Sequence, residues 1–488
     1  MDVTSTALWF TITIIVLTVI TKIARRRIMS DQVCNRPPPP PLVNGVSIIG
    51  TLLMNGFGAM IYEQYTKLGS VFTISILGKK IAFLIGPEVS GHFYQGLDSE
   101  VSLNIMYEFL VPMVGKDTGY GVDATTRNEQ IRFISDALKP SKLRSHVGPM
   151  LQEVEDFFGK WGQEGVVDLK QELDQLLLLI SAQCLLGKEV RANMFSEVFT
   201  LFHEMINNGT NLINVVFPYA PTMMNHRRDK AHTKLSKMFA EIVRSRKSSG
   251  KVEDDVLQML IDSKYKDGRP TTESEVTGMI IGLLIAGKHT SSNASTWIGA
   301  RLLSHRRYLT AAIEEQKQVF KKYGNHIDYS VLLEMNFLNQ CIKETLRVHP
   351  PTLSLFRKVH KSFTVRTREG YEYEIPKGYT IASPVLFNNN ISYIYKDPDV
   401  YDPNRFGPGR EEDRVGGKFS YTAFGGGRHP CVGEAYAYMQ IKVIWSHLLR
   451  NFELKLVSSF PKADWRKLAL EPKGQVLVSY KRRQLHSA

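Results

Sequence analysis

Between Thr272 and Leu303 the chain runs about 30 residues without a proline, or about 45 Å if helical at 1.5 Å per residue. Thr272-Glu273-Ser274-Glu275 opens the run with a capping residue and first-turn acids. Its middle, Met279 to Ala286, is uncharged. A helix this long and this apolar must cross the core of a large domain. Small sheets are expected beside it. Phe72, Ile74 and Ile76 alternate, as do Ile81, Phe83 and Ile85, and Gly78-Lys79-Lys80 between them predicts a β-hairpin over 70–86. A second sheet segment is expected over 363–384, where Phe363, Val365, Tyr371, Tyr373 and Ile375 precede a Pro376-Lys377-Gly378 turn. The fold class is mainly α with small β-sheets.

The N-terminus separates itself from this body. Ala7 to Thr21 is almost wholly apolar, with Lys22 and Arg25-Arg26-Arg27 after it. Counted through Ala24 it reaches roughly 17 residues, about the shortest helix that spans a bilayer. Only Asp2 is charged before it, so a cleavable signal peptide's basic start is missing, and the following basic cluster predicts a cytosolic C-terminal side. The chain thus divides into a signal anchor over 1–27, a proline-rich hinge over 28–42 (Pro37 to Pro41 read as a stiff spacer) and one large domain over 43–488. Four cysteines, Cys34, Cys184, Cys341 and Cys431, show no paired spacing and fit a reducing compartment. A net charge of +13 suits an anionic lipid surface or an acidic protein partner. Without zinc spacing or a long basic tract, nucleic acid is not the expected partner.

The richest stretch for chemistry is Phe424-Gly425-Gly426-Gly427-Arg428-His429-Pro430-Cys431-Val432-Gly433. Consecutive glycines let a backbone loop approach a ligand closely. Cys431 stands just before a helix expected over Glu434 to Asn451, where unsatisfied N–H groups favour a thiolate. Upstream, Glu344 and Arg347 share a helical face, Pro403-Asn404-Arg405-Phe406 follows, and Ala286-Gly287-Lys288-His289-Thr290-Ser291-Ser292 lies mid-way along the long helix.

Together these four motifs, in this order, resemble the cytochrome P-450 family. The resemblance implies haem b bound through Cys431, whose sulfur donates electrons that favour O–O cleavage. Phe424 and Gly425 belong to the haem loop. Glu344, Arg347 and Arg405 are implied to form a buried network that serves structure and haem incorporation. Thr290, beside His289, is implied to relay protons to dioxygen. Histidine before this threonine resembles the sterol 14α-demethylases, and likeness to the plant, obtusifoliol-type members runs over roughly residues 37–483. Tyr107, Tyr120, Arg357 and His429 match haem-propionate contacts in that group, with Arg127 or Arg132 adding a charge. Substrate-pocket positions carried over are Tyr107, Phe109, Met113, Val114, Met205, Asn207, Ala286, Lys288, Leu355 and Leu468.

Several positions depart from the demethylase pattern. An aromatic is missing at Val114, Thr118-Gly119 replaces an apolar pair, an acid is missing at Gly121, Lys288 stands for glutamine, and Thr352 to Phe356 differs from the usual apolar run. The acid that pairs with the helix histidine is replaced by Asn207, which cannot store a proton. Glu204, one turn away, is the available substitute. Since the changes sit at pocket and relay positions, the reading favours a diverged plant oxidase of a sterol or pentacyclic triterpene, slightly toward the triterpene. The alternative is a housekeeping sterol (obtusifoliol) 14α-demethylase. Rivals from other classes are a haem isomerase that needs no dioxygen and a non-catalytic haem- or lipid-binding protein; Thr290 speaks against the first. The implied electron donor is NADPH-cytochrome P-450 reductase, with no direct NADPH binding. The implied setting is a single-pass monomer in the endoplasmic reticulum membrane with a cytosolic catalytic domain.

Overall fold

The computed structural model describes residues 36–483, apart from 77, 104, 211–213, 215–216, 251 and 466–468. The expected anchor over 1–27 and the pocket position Leu468 lie outside the described residues. Among the described residues no helix is long and apolar enough to cross a membrane. The helices that frame the body are α1 (Gly45–Leu68), α2 (Pro87–Gln95), α3 (Ala124–Ala137), α4 (Pro140–Gly159), α5 (Leu169–Ser181), α6 (Phe195–Gly209), α7 (Met223–Ser249), α8 (Val256–Asp262), α9 (Glu273–Ser304), α10 (Arg306–Tyr323), α11 (Asn336–Val348) and α12 (Glu434–Asn451).

The strands are confined to one flank and to the C-terminal part. β1 (Leu42–Asn44), β2 (Val71–Ile76), β3 (Lys79–Leu84) and β4 (Val101–Leu103) come early, and β5 (Glu164–Asp168) follows α4. β6 (Leu355–Val359), β7 (Phe363–Arg366), β8 (Glu372–Ile375) and β9 (Thr380–Ser383) follow α11. Two-residue pieces β10 (Gly425–Gly426) and β11 (His429–Pro430) shape the cysteine loop. β12 (Phe452–Leu456), β13 (Ala463–Asp464), β14 (Glu471–Pro472) and β15 (Leu477–Arg482) close the chain. The six-stranded sheet has the order β1-β2-β3-β9-β6-β4, and β12-β15-β5 form a second sheet. The expected hairpin is β2–β3, with Phe72 opposite Phe83 and their rings stacked at 5.1 Å. The proline run, read as a spacer, is docked on the body instead. Pro41 O accepts from Thr73 N at 2.8 Å and Pro38 O from Glu374 N at 3.0 Å, because residues lacking N–H groups can still offer carbonyls to a sheet edge.

The expected long helix is α9, 32 residues, started by a capping box in which Thr272 Oγ1 accepts from Glu275 N and Glu275 Oε2 accepts from Thr272 N. Its C-terminal half is buried almost all round, from Ser291 to Ala300. Close packing there depends on a glycine. A Cβ on Gly299 would fall 2.6 Å from both Leu169 of α5 and the Trp445 ring of α12. Trp445 Nε1 also donates to Ser295 Oγ at 2.9 Å, so α9 and α12 are keyed by shape and by a hydrogen bond. Trp297 Nε1 and Asn293 Nδ2 both donate to Leu470 O, at 2.7 and 3.1 Å, which fixes β14 against α9.

Candidate active site

Cys431 closes a tight loop. Gly425 and Gly427 take φ of 70° and 67°, and a Cβ on Gly427 would overlap the Tyr94 carbonyl, to which the next residue, Arg428, donates its N–H at 2.9 Å. β10 and β11 pair Gly425 with Pro430, and Cys431 N donates to Phe424 O at 2.8 Å, so the cysteine backbone is anchored on both sides. Its side chain is accessible, unlike those of Cys184 and Cys341, which are buried. The thiol pKa stands above its ordinary value, because burial and the Glu434 charge push it up by more than the Gly433 N–H facing the sulfur pulls it down, so the helix N-terminus by itself does not secure the expected thiolate. Gly433 then caps α12 as expected.

Three guanidiniums are buried without an ion-pair partner among the described residues; Arg450 of α12 donates to Gln316 Oε1 at 3.1 Å, and the other two, Arg127 and Arg357, are ones the sequence placed at the haem. Arg357 on β6 is 4% exposed and Arg127 on α3 is 8% exposed, with the Arg127 Nε lacking any hydrogen-bond acceptor. A buried cation left this way is costly unless a ligand supplies the anion. Tyr107 and Tyr120 stack at 4.9 Å nearby, the Tyr107 hydroxyl accepting from Phe356 N at 3.2 Å. Burial pushes Tyr120 up to about 12, so it faces a ligand as a neutral donor. A cleft of about 450 Å³ is lined by Tyr120, Arg127, Leu103, Glu108, Val111 and Lys116. His429 differs from its expected role in that Asp98 already engages its Nε2 at 2.9 Å, leaving only Nδ1 for a ligand. Arg132 is not part of this group. Five residues on from Arg127, it points to the outer face of α3, where it meets Glu129, Asp136 and the Lys264 carbonyl.

On α9, Ala286 is exposed although Leu283, Leu284 and Lys288 around it are buried, so its face lines a cavity. Thr290 Oγ1 donates to Ala286 O at 2.6 Å, which leaves its oxygen lone pairs free to accept from a partner in that cavity. The neighbouring side chains diverge. His289 Nε2 meets Glu471 Oε1 of β14 at 3.1 Å. Lys288, expected at the pocket, is 2% exposed and pairs with Asp174 of α5, while His203 of α6 contacts both, at 3.2 Å from Lys288 and 2.9 Å from Asp174. Burial alone would raise the Asp174 pKa, but His203 and Lys288 hold it well below the carboxylate range. Asn207 and Glu204 are both exposed on α6, and the acid facing His289 is Glu471 instead.

The remaining pocket expectations separate. Leu355 lies against the cysteine loop, 3.7 Å from where a Gly425 Cβ would stand, and Phe109 is half-buried. Met113 and Met205 are fully buried, Met113 packing under Gly209 where α6 meets α7, so both belong to the core and not to a cavity wall. Val114 fills the groove at Gly278 and Gly282 of α9. The Glu344, Arg347 and Arg405 side chains meet at 2.7–3.1 Å with exposures of 0–1%. The network extends beyond these three: Arg405 also grips Glu412 at 2.5 Å, Glu412 holds Arg410, and Asp402 N donates to Glu344 at 2.8 Å.

A mostly helical body, a cysteine loop at a helix N-terminus and the unpaired Arg127 and Arg357 beside a stacked tyrosine pair define a haem-thiolate enzyme. The cytochrome P-450 family model matches residues 37–478, and the chain belongs to that family of haem-containing monooxygenases, which take electrons from NADPH through a reductase. It is 53% identical over 448 residues to the obtusifoliol 14-alpha demethylase of Sorghum bicolor, covering 91% of each chain. It is 51% identical over 479 residues to the sterol 14-demethylase of Arabidopsis thaliana, covering 97% of each. The lanosterol 14-alpha demethylase of Homo sapiens is 31% identical over 449 residues, 91% of this chain and 87% of that one. Among solved structures, the retinoic acid bound cyanobacterial CYP120A1 superposes with a TM-score of 0.80 over 92% of this chain and 100% of that one, at 21% identity.

Proposed function

We propose that this monooxygenase oxidises a 14-methylated sterol, as a 14α-demethylase of the plant type. The carrying observation is identity of 51–53% to plant obtusifoliol and sterol 14-demethylases across nine-tenths of the chain or more. The sequence leaned slightly toward a triterpene oxidase; likeness of this extent favours the sterol. In this reading the Cys431 sulfur would hold the haem iron, and the bound haem would supply reductive activation of dioxygen for insertion into a C–H bond. Arg127 and Arg357 neutralise the two propionates, Tyr107 and Tyr120 donate beside them, and His429 contributes its remaining nitrogen. The stacked pair Tyr107–Tyr120, Phe109 and Leu355 offer a rigid polycycle an apolar wall. Thr290, with a hydroxyl fixed at Ala286, accepts and passes protons at the cavity face of α9. Anchoring by residues 1–27 places the cavity mouth at the endoplasmic reticulum membrane, and the basic surface docks an acidic reductase.

A pentacyclic triterpene is the second reading. It is favoured by the Lys288–Asp174–His203 cluster, which puts a charge pair between α9 and α5 next to the relay residues. Product analysis of the reductase-coupled, haem-loaded enzyme with a 14-methyl sterol and with β-amyrin tests both. Conversion of the sterol to the Δ14 product is the expected result. Oxidation of β-amyrin alone would replace the first reading with the second.

A further inference from the structure

We propose that Glu471 is a positioning residue for oxygen activation: its carboxylate holds His289 beside Thr290 and ties that histidine, through Lys170, to solvent. The inference rests on the monooxygenase reading of the site, and not on which lipid fills it.

Three side chains from three elements form a line. His289 of α9 meets Glu471 Oε1 at 3.1 Å, and Glu471 Oε2 accepts from Lys170 Nζ of α5 at 3.2 Å. Glu471 is the most enclosed, its side chain 14% exposed, against 34% for Lys170 and 37% for His289. A carboxylate that faces a histidine on one oxygen and an ammonium on the other remains ionised. Burial works to raise its pKa, but His289 and Lys170 hold it near 2. The charged groups around His289 are Glu471 from β14, Lys170 from α5 and, on its own helix, Lys288, whose charge is matched by Asp174. Glu471 is therefore the anion that faces His289.

The carboxylate is not needed to hold its own segment. Leu470 O is fixed by Trp297 and Asn293, Pro472 O accepts from Lys170 at 3.1 Å, and β14 pairs with β13. What the side chain adds is charge beside the relay. When His289 gives up a ring proton toward the cavity, Glu471 favours its replacement by one from water at the Lys170 end. One proton enters for each one passed inward, and the pair returns to its starting charge. This route runs along β14 and α5, and neither Asn207 nor Glu204 of α6 belongs to it.

The test compares full-length, haem-loaded wild type with Glu471→Gln, which keeps the shape and removes the charge. The thiolate band of the reduced carbon monoxide spectrum serves as the folding control. Two quantities are read: the rate at which diethylpyrocarbonate labels His289, by mass spectrometry, and the hydrogen peroxide released per NADPH consumed. The second is defined whether or not a lipid is converted, so failure of the sterol reading leaves this test intact. Loss of the counter-charge is expected to raise both by at least about threefold. Should Glu471→Gln lose the thiolate band, Glu471→Asp is expected to move both in the same directions by less. Unchanged labelling, whatever the peroxide yield, overturns the proposal, as does faster labelling with an unchanged peroxide yield.

Discussion

Arg347 grips Glu344 through two parallel hydrogen bonds, Nε to Oε2 at 2.7 Å and Nη2 to Oε1 at 2.9 Å, and neither side chain reaches water. Arg405 closes on the same carboxylate at 3.1 Å. Removing one partner strands the others as buried charges, a cost of about 3–5 kcal/mol. Glu344→Gln, Arg347→Ala and Arg405→Ala are each expected to lower the yield of haem-loaded protein several-fold. Sedimentable protein and total haem per milligram in the expressed fraction give the measure.

Replacing Cys431 by alanine removes the sulfur that the loop presents while leaving the loop's backbone bonds, which run from Cys431 N to Phe424 O, intact. The thiolate Soret band of the reduced carbon monoxide complex should vanish, with far-ultraviolet circular dichroism unchanged.

Arg127 and Arg357 are buried and unpaired, whereas Arg132 is engaged on the surface. Charge-assisted hydrogen bonds to a ligand carboxylate contribute about 1.5–3 kcal/mol each, so Arg127→Met or Arg357→Met should speed haem loss to apomyoglobin by about tenfold or more. Arg132→Met should leave that rate within a factor of about two, as surface ion pairs contribute little.

Lys442 of α12 is 4% exposed, and its ammonium donates to Leu332 O at 3.0 Å. Burial pushes its pKa from 10.5 down to about 8. Between those values the unfolded chain binds more protons than the folded one, so stability rises as pH climbs from about 8 toward 10.5, and the penalty is full below 8. That penalty is about 3 kcal/mol. Lys442→Met is therefore expected to raise the melting temperature at pH 7 and to flatten its rise at alkaline pH, as seen by differential scanning calorimetry.

Parts of this architecture could be read before any coordinates. The start of α9 was legible because a capping box and a proline-free apolar run leave few alternatives, and α12 because Gly433 ends the cysteine loop. Arg127 and Arg132 were not told apart by the sequence; the packing of α3, which buries Arg127, Gln130 and Phe133, leaves Arg132 outside. Other features were not legible. Met113 and Met205 have the residue type of a cavity wall and of a core alike, and packing alone decides between them. The acid facing His289 was sought on α6, yet Glu471 reaches it from β14, and no local pattern joins positions so far apart in the chain. Asp174 and His203 were hidden for the same reason.

The Leu470 carbonyl, shared by Trp297 and Asn293, makes the end of the chain part of the machinery around α9. A fusion tag or truncation that frays β15 loosens β12 and β5, the strands it pairs with, a few residues beyond the β14 segment that carries Glu471. A purification tag at the C-terminus is thus expected to disturb the surroundings of α9, and a tag placed elsewhere to leave them alone.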